Sequence, residues 1–331
     1  MATMYVTEQG ARLEKEYRRF LVTKDDQVLM AVPASRLTHV VLVGQVGVTT
    51  PALHALLESG VGLSLVNRAG QLQGRLVPPT GKNIPLRHRQ YERARDPAFC
   101  LAVSRAIVAG KLRNCRALAR RRARDRPDIA EATIERIDAA VERAESAPDL
   151  ATLRGIEGEG TRAYFAVWRR ALEPGMGFDK RTRRPPGDPA NALLSLGYTL
   201  LTGDLMAACE IAGLDPYDGF FHADKYGRPA LALDLVEEFR PLIVDSLVLN
   251  LVNREMLTPR DFEPGAEGGV YLKHGPLRTF FQQYTARLNA QVLHPGSGRK
   301  LTYQQWFEVQ VQAMRQVIEG TLPAYRPMVT R

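Results

Sequence analysis

Two stretches of the chain place acids and a histidine among residues that otherwise read as protein core. The first runs from Leu153 to Phe165 as Leu-Arg-Gly-Ile-Glu-Gly-Glu-Gly-Thr-Arg-Ala-Tyr-Phe. Its apolar stripe, Leu153, Ile156, Gly160, Tyr164, Val167 and Trp168, follows the helical period, and Glu157 lies beside that stripe, at the edge of a core. The second runs from Phe220 through His222 into Ala230–Pro241, where Asp234 and Glu237 form an i, i+3 pair and Asp245 follows two turns later. Carboxylates on one face repel unless a proton or a cation intervenes. A metal ion resolves that conflict, and His222, on the preceding loop, could add an imidazole ligand.

A bland reading of the same residues stays open at this level. Glu157 would then be a solvated acid at a loop–helix boundary, because Gly155, Gly158 and Gly160 each cost a helix about 1 kcal/mol relative to alanine. The other acids would be structural. His39, His54, His88, His274 and His294 show no ligand spacing and read as surface or core residues. No Walker loop, Gly-x-Ser-x-Gly elbow, His-Glu-x-x-His helix or dinucleotide fingerprint is present, so acyl transfer, ATP hydrolysis and hydride transfer have no motif support.

Charge supplies an independent signal. The net charge is +9, but it is unevenly placed. Residues 1–84 carry nine Lys/Arg against six Asp/Glu, residues 85–126 carry thirteen against three, and the remainder carries 23 against 27. One segment thus holds more than the whole excess, mostly as guanidinium groups that grip phosphate oxygens in a fork. Arg113, Arg116, Arg120, Arg121, Arg122 and Arg124 are its candidate DNA contacts, and Lys180, Arg181, Arg183 and Arg184 form a second cluster. A single charge run is often only a solvated helix face; two concentrated patches look like a track for a polyanion such as DNA.

These residues need elements to position them. Up to about residue 80, short β-type runs (Met4–Thr7, Arg19–Val22, Val28–Val32, His39–Val43, Val61–Val66 and Leu72–Val77) alternate with turn signals at Gln9-Gly10, Asp25-Asp26 and Ala69-Gly70, with one helix over Pro51–Leu57. Pro78 to Asn83 has linker composition, and the pattern then becomes helical. Asp96-Pro97 and Asp188-Pro189 each join an N-cap carboxylate to a proline at the first helical position. Further helices are expected over 128–146, 150–172, 229–256, 276–292 and 302–319, with a short hairpin near Val270–Lys273. The expected fold class is α+β: a small β-rich N-terminal domain over 1–84, a linker at about 78–86, and a larger all-α catalytic domain over 85–331.

With 45% hydrophobic residues the chain is ordinary globular material. Cys100, Cys115 and Cys209 show no Cys-x-x-Cys spacing and read as buried thiols of a cytoplasmic protein. No signal peptide is legible, no apolar run reads as a bilayer span, and no membrane partner is expected.

The two acid-bearing stretches, in that order, with Arg184-Pro185-Pro186-Gly187-Asp188-Pro189-Ala190-Asn191 between them, resemble the integrase/endonuclease family of CRISPR spacer acquisition (CRISPR-associated protein one). The resemblance covers the whole chain. It implies that Glu157, His222 and Glu237 are catalytic metal ligands, with Asp234 supporting, and that this chain has Gly160 where many relatives have alanine. It implies a homodimer that works with a small companion adaptation protein (CRISPR-associated protein two) on double-stranded prespacer and repeat DNA. The reaction implied is insertion of short duplexes into a repeat array by 3′-hydroxyl attack on a phosphodiester. Two carboxylates and an imidazole suit Mn2+ better than Mg2+, although abundance could make Mg2+ the working ion. A metal-dependent nuclease hydrolysing branched DNA and a non-catalytic DNA-binding scaffold are the competing readings.

Overall fold

The computed structural model describes residues 2–67, 72–77, 83–183, 185–223, 225–265, 268–293 and 298–330. The expected turn at Ala69-Gly70, most of the expected linker, Arg184 and His294 lie outside those residues.

The chain opens with strands β1 (Ala2–Val6), β2 (Arg12–Glu16), β3 (Arg19–Lys24), β4 (Gln27–Pro33), β5 (Leu37–Val43) and β6 (Gly47–Val48), helix α1 (Thr50–Glu58), and strands β7 (Gly62–Val66) and β8 (Leu72–Leu76). Thr49 caps α1 by accepting from Ala52 N at 3.3 Å. Two four-stranded sheets result, in the orders β1-β5-β7-β8 and β4-β3-β2-β6. In the first sheet β1, β5 and β7 run parallel, and their central register (Met4 opposite Val40, Val40 opposite Leu63) puts buried apolar residues side by side. Leu13, Phe20 and Val22 from the second sheet and Leu56 from α1 join Val40, Leu42 and Leu63 in one core.

Among the described residues, seven helices follow: α2 (Ile84–Ala94), α3 (Pro97–Asp125), α4 (Glu131–Ser146), α5 (Leu150–Ala171), α6 (Pro189–Ile211), α7 (Ala230–Phe239) and α8 (Ser246–Asn253). Asp96 caps α3 through Ala98 N and Phe99 N, and Asp188 caps α6 through Asn191 N at 2.8 Å, as the Asp-Pro signals require. A π-turn, Pro241–Asp245, separates α7 from α8, with Asp245 N–H reaching back five residues to Arg240 O. The expected 229–256 helix is therefore broken at Pro241, whose ring cannot be accommodated in an uninterrupted helix. The chain ends with the hairpin β9 (Phe262–Pro264) and β10 (Val270–Leu272), α9 (His274–Leu288), the hairpin β11 (Gln291–Leu293) and β12 (Lys300–Thr302), and α10 (Tyr303–Glu319).

The chain divides into two compact units, one of residues 1–82 with 273–305 and one of residues 83–272 with 306–331. The α+β class holds, but residues 273–305 do not belong to the helical domain to which the sequence reading assigned them. The aromatic face of α9 explains the difference: Phe281 and Tyr284 pack on Tyr5 of β1 with centroids at 5.4 and 5.8 Å, and Gln304 donates to Thr3 at 3.1 Å. That burial is with residues about 280 positions away, which periodicity cannot show.

One helix corrects the membrane reading in part. By length and composition α6 could cross a bilayer, yet 67% of its most apolar window is buried in the protein, as for the core helix of a bundle. All three cysteines are buried thiols.

Candidate active site

Glu157 owes its position to the way α5 packs. Asp149 caps the helix by accepting from Thr152 N at 2.8 Å, and Leu153, Ile156, Tyr164, Val167 and Trp168 are all buried. The helix is continuous through its glycines. At Gly160 a Cβ would lie 2.7 Å from Leu112 and 2.9 Å from Ala140, so the bare backbone lets α5 lie close on α3 and α4. At Gly158 a Cβ would meet nothing within 4 Å, which leaves open space beside Glu157. One turn before Gly160, the Glu157 carboxylate therefore faces Lys111, the neighbour of Leu112. Lys111 donates to Glu157 Oε1, and Thr161 Oγ1 donates to the same oxygen at 3.0 Å.

On α7, Asp234 and Glu237 divide the labour. Asp234 is fully buried and accepts from the backbone N–H groups of Phe220, Phe221 and His222 at 2.7, 3.0 and 2.9 Å, fixing the loop that carries the histidine. It also contacts His222 Nδ1 at 2.7 Å, which leaves Nε2 pointing toward Glu237 Oε1, 3.8 Å away. An imidazole held at one nitrogen by a carboxylate is the orientation used by histidines that ligate metals through the other. Gly219 is required here, since a Cβ would stand 2.6 Å from the Ala230 carbonyl carbon and 2.8 Å from Asp234 Oδ2.

Glu237 is buried between cations. Arg240 approaches its Oε1 at 3.0 Å and Lys111 its Oε2 at 2.6 Å, but Oε2 has no partner in hydrogen-bonding geometry. Burial alone would raise its pKa; Arg240, Lys111 and His222 outweigh it and hold the carboxyl at about 2. Lys111 is the counterpart: burial opposes its charge, and Glu237 and Glu157 more than restore it.

The three expected ligands thus come from three elements to one place, with Lys111 between the two carboxylates. Among the described residues, no set of three His, Cys, Asp or Glu side chains stands close enough to hold a metal ion without adjustment. The donor set nevertheless fits a divalent cation: two carboxylates already flank a positive charge, one oxygen is buried without a hydrogen bond, and the imidazole is pre-oriented. Asp245 does not join them. Through the π-turn it reaches Tyr164 and Tyr198, whose hydroxyls donate to it, and burial raises its pKa to about 6 against those hydrogen bonds and the charges of Arg240 and Arg181. The expectation that Asp234, Glu237 and Asp245 line one face is therefore corrected.

Beside the cluster lies a cavity of about 440 Å3, walled by Glu157, Gly158, Lys111, Tyr164, Phe165, Tyr198 and Asp245 and by the cations Arg162, Arg169, Lys180, Arg181, Arg183 and Arg240. The guanidinium groups of Arg240 and Arg181 lie 4.8 and 5.3 Å from the ring centre of Tyr198. Lys180 and Arg183 are exposed at this cavity, while Arg181 is half-buried and donates to Asn191 Oδ1 and Ser195 Oγ at 2.8 and 3.0 Å. The basic run on α3 is less free than its charge suggests. Arg113 pairs with Glu145, and Arg116 and Arg120 pair with Asp138 at 2.9 and 2.7 Å. Arg122 is half-buried, whereas Arg121 and Arg124 are exposed.

The sequence reading passed over Lys111, Arg240 and Tyr198 as site residues. Lys111 had a signal: it follows Ile107 by four residues and precedes Cys115 by four, a charge on the apolar stripe of α3.

The family model for CRISPR associated protein Cas1 matches residues 4–286. The chain belongs to the Cas1 family. A Thermus thermophilus protein named CRISPR-associated endonuclease Cas1 3 is 36% identical over 100% of this chain and 98% of its own length. A second from that organism, CRISPR-associated endonuclease Cas1 1, is 41% identical over 96% of each chain. Among solved structures, a Cas1 protein from Thermotoga maritima matches with a TM-score of 0.82 at 22% identity, covering 98% of this chain and 99% of that one. A casposase bound to its integration product matches at 0.86 and 21%, covering 98% and 93%. At those identities the structural matches establish a Cas1 fold.

Proposed function

We propose that this Cas1-family chain is a metal-dependent DNA endonuclease and integrase that joins the 3′-hydroxyl of a short duplex to a repeat-strand phosphodiester. The observation that carries this reading is the meeting of Glu157, Glu237 and a pre-oriented His222 beside a cavity walled by arginines. Glu157, His222 and Glu237 would hold the divalent ion, Mn2+ or Mg2+. When bound, such an ion favours ionisation of the attacking hydroxyl and offsets charge on the phosphate.

The protein's own groups do the rest. Asp234 holds His222 in one orientation, and Arg240, kept cationic by Glu237, faces the cavity where phosphate oxygens would lie. Lys180, Arg181 and Arg183, with the exposed Arg121 and Arg124 of α3, would bind the DNA backbone. No side-chain nucleophile is needed, because the DNA brings its own.

A homodimer is supported by β4, an edge strand whose Val28, Leu29 and Met30 are 59, 49 and 45% exposed. Partnership with double-stranded DNA and with a small companion, CRISPR-associated protein two, is supported by Cas1-fold structures described as a Cas1–DNA complex and a Cas6-RT-Cas1–Cas2 complex. A cytoplasmic setting is supported by the three buried thiols, Cys100, Cys115 and Cys209.

The test supplies a supercoiled repeat-bearing plasmid and a duplex with free 3′ ends. Joined product that requires Mn2+ or Mg2+ and disappears in Glu157→Ala is expected. Cleavage without joining would favour hydrolysis of branched DNA, and undiminished joining by Glu157→Ala would remove this site from the chemistry.

A further inference from the structure

Lys111 stands between the two carboxylates that would hold a divalent ion, and this inference rests on the metal-dependent reading above. Its side chain is 6% exposed, and its ammonium touches carboxylates from two different helices, Glu157 on α5 and Glu237 on α7. Arg240 takes the other oxygen of Glu237, so two carboxylates already face two cations. A divalent ion held by Glu157 and Glu237 while Lys111 stays between them would set two cations side by side in a buried space. The strain is relieved if Lys111 leaves.

Three observations make its departure a side-chain movement. The contact with Glu237 is poorly aligned, since Oε2 is 2.6 Å from the ammonium yet at an angle outside hydrogen-bonding geometry. The lysine stem is flexible and its head well hydrated, and Lys111 is itself part of the wall of the 440 Å3 cavity into which it could turn. The backbone of α3 is pinned: a Cβ on Gly110 would stand 2.4 Å from Pro327, and Asn114 donates to the carbonyls of Glu238 and Met328 at 2.8 Å each.

We infer that Lys111 is a resident counter-cation that holds Glu157 and Glu237 together in the metal-free protein and yields its place to the divalent ion, thereby setting the concentration at which the site loads. It acts on the ligands and is a positioning residue, not a catalytic one.

The test titrates Mn2+ calorimetrically into chelator-treated full-length wild type, Lys111→Met, Lys111→Arg and Glu157→Gln, with melting curves of each with and without metal. Lys111→Met should melt lower without metal, bind Mn2+ about tenfold tighter, and gain more in melting temperature from Mn2+ than wild type. Lys111→Arg, whose guanidinium fork grips carboxylates more firmly, should melt near wild type and bind Mn2+ more weakly. Wild-type binding that depends on Glu157, with no tightening in Lys111→Met, would overturn the inference and leave the metal reading standing. Absence of Mn2+ binding in every protein would overturn both. Should Lys111→Met not fold, Lys111→Arg decides: weaker binding supports the inference, and wild-type affinity overturns it.

Discussion

Glu237 and Glu238 are consecutive, lie on the same helix and are both buried, yet their surroundings make them opposite kinds of acid. Glu237 meets Lys111, Arg240 and His222, and its carboxyl is held at about 2. Glu238 meets only neutral donors: Tyr325 Oη at 2.6 Å, Gln310 Nε2 at 3.1 Å and the backbone N–H of Met328. Burial raises its pKa to about 7 despite those hydrogen bonds. The same side chain in the same helix thus becomes a permanently ionised member of a charged cluster on one face and a clasp for the chain's last residues on the other. Burial alone would have raised both; what separates them is whether full charges or dipoles replace the lost water.

The contrast can be broken by neutralising each acid in turn. Glu237→Gln removes the charge that Arg240 and Lys111 share, leaving buried cations with fewer counter-charges. Chemical denaturation should show a loss of about 3 kcal/mol, the scale for breaking a buried ion pair, with strand joining reduced at least about a hundredfold. Unchanged stability would mean that the cations find water or other partners without cost.

Glu238→Gln should have a smaller effect. It keeps a neutral acceptor but turns an amide N–H toward donors, so a stability loss of about 1 kcal/mol is expected with joining unchanged. The pH dependence carries the sharper signature. Because the folded-state pKa lies above the ordinary 4.5, the native protein holds this proton more tightly than the unfolded chain, and the resulting stabilisation is complete below pH 4.5 and lost as pH rises through about 7. Between those limits wild type should lose stability relative to Glu238→Gln. Parallel stability curves for the two proteins would place the proton elsewhere.

Much of this was legible beforehand for a physical reason. The Asp-Pro caps announced α3 and α6, the stripe around Glu157 announced α5, and the alternating apolar runs announced most of the N-terminal strands, because each is a local interaction. What failed was non-local. The aromatic face of α9 gave no hint that it belongs with β1, and the π-turn that carries Asp245 away from Glu237 was hidden inside a long apolar run marked only by Pro241. In the site itself, residue types and order brought Glu157, His222 and Glu237 forward. The charge balance was not legible, because Lys111 was counted with a basic run of which it is the buried member, and the carboxylates that pair with Arg113, Arg116 and Arg120 sit on another helix. A charge run in sequence reports composition; only packing reports which charges remain available to DNA.

Central to the proposed chemistry is that Glu157, His222 and Glu237 act together on one cation. Anomalous diffraction from manganese-soaked crystals tests it most directly. A single strong peak is expected within ligand distance of all three side chains, with the Lys111 ammonium displaced from between the carboxylates. A well-ordered map in which Lys111 still bridges Glu157 and Glu237, with no manganese at these side chains, would contradict it.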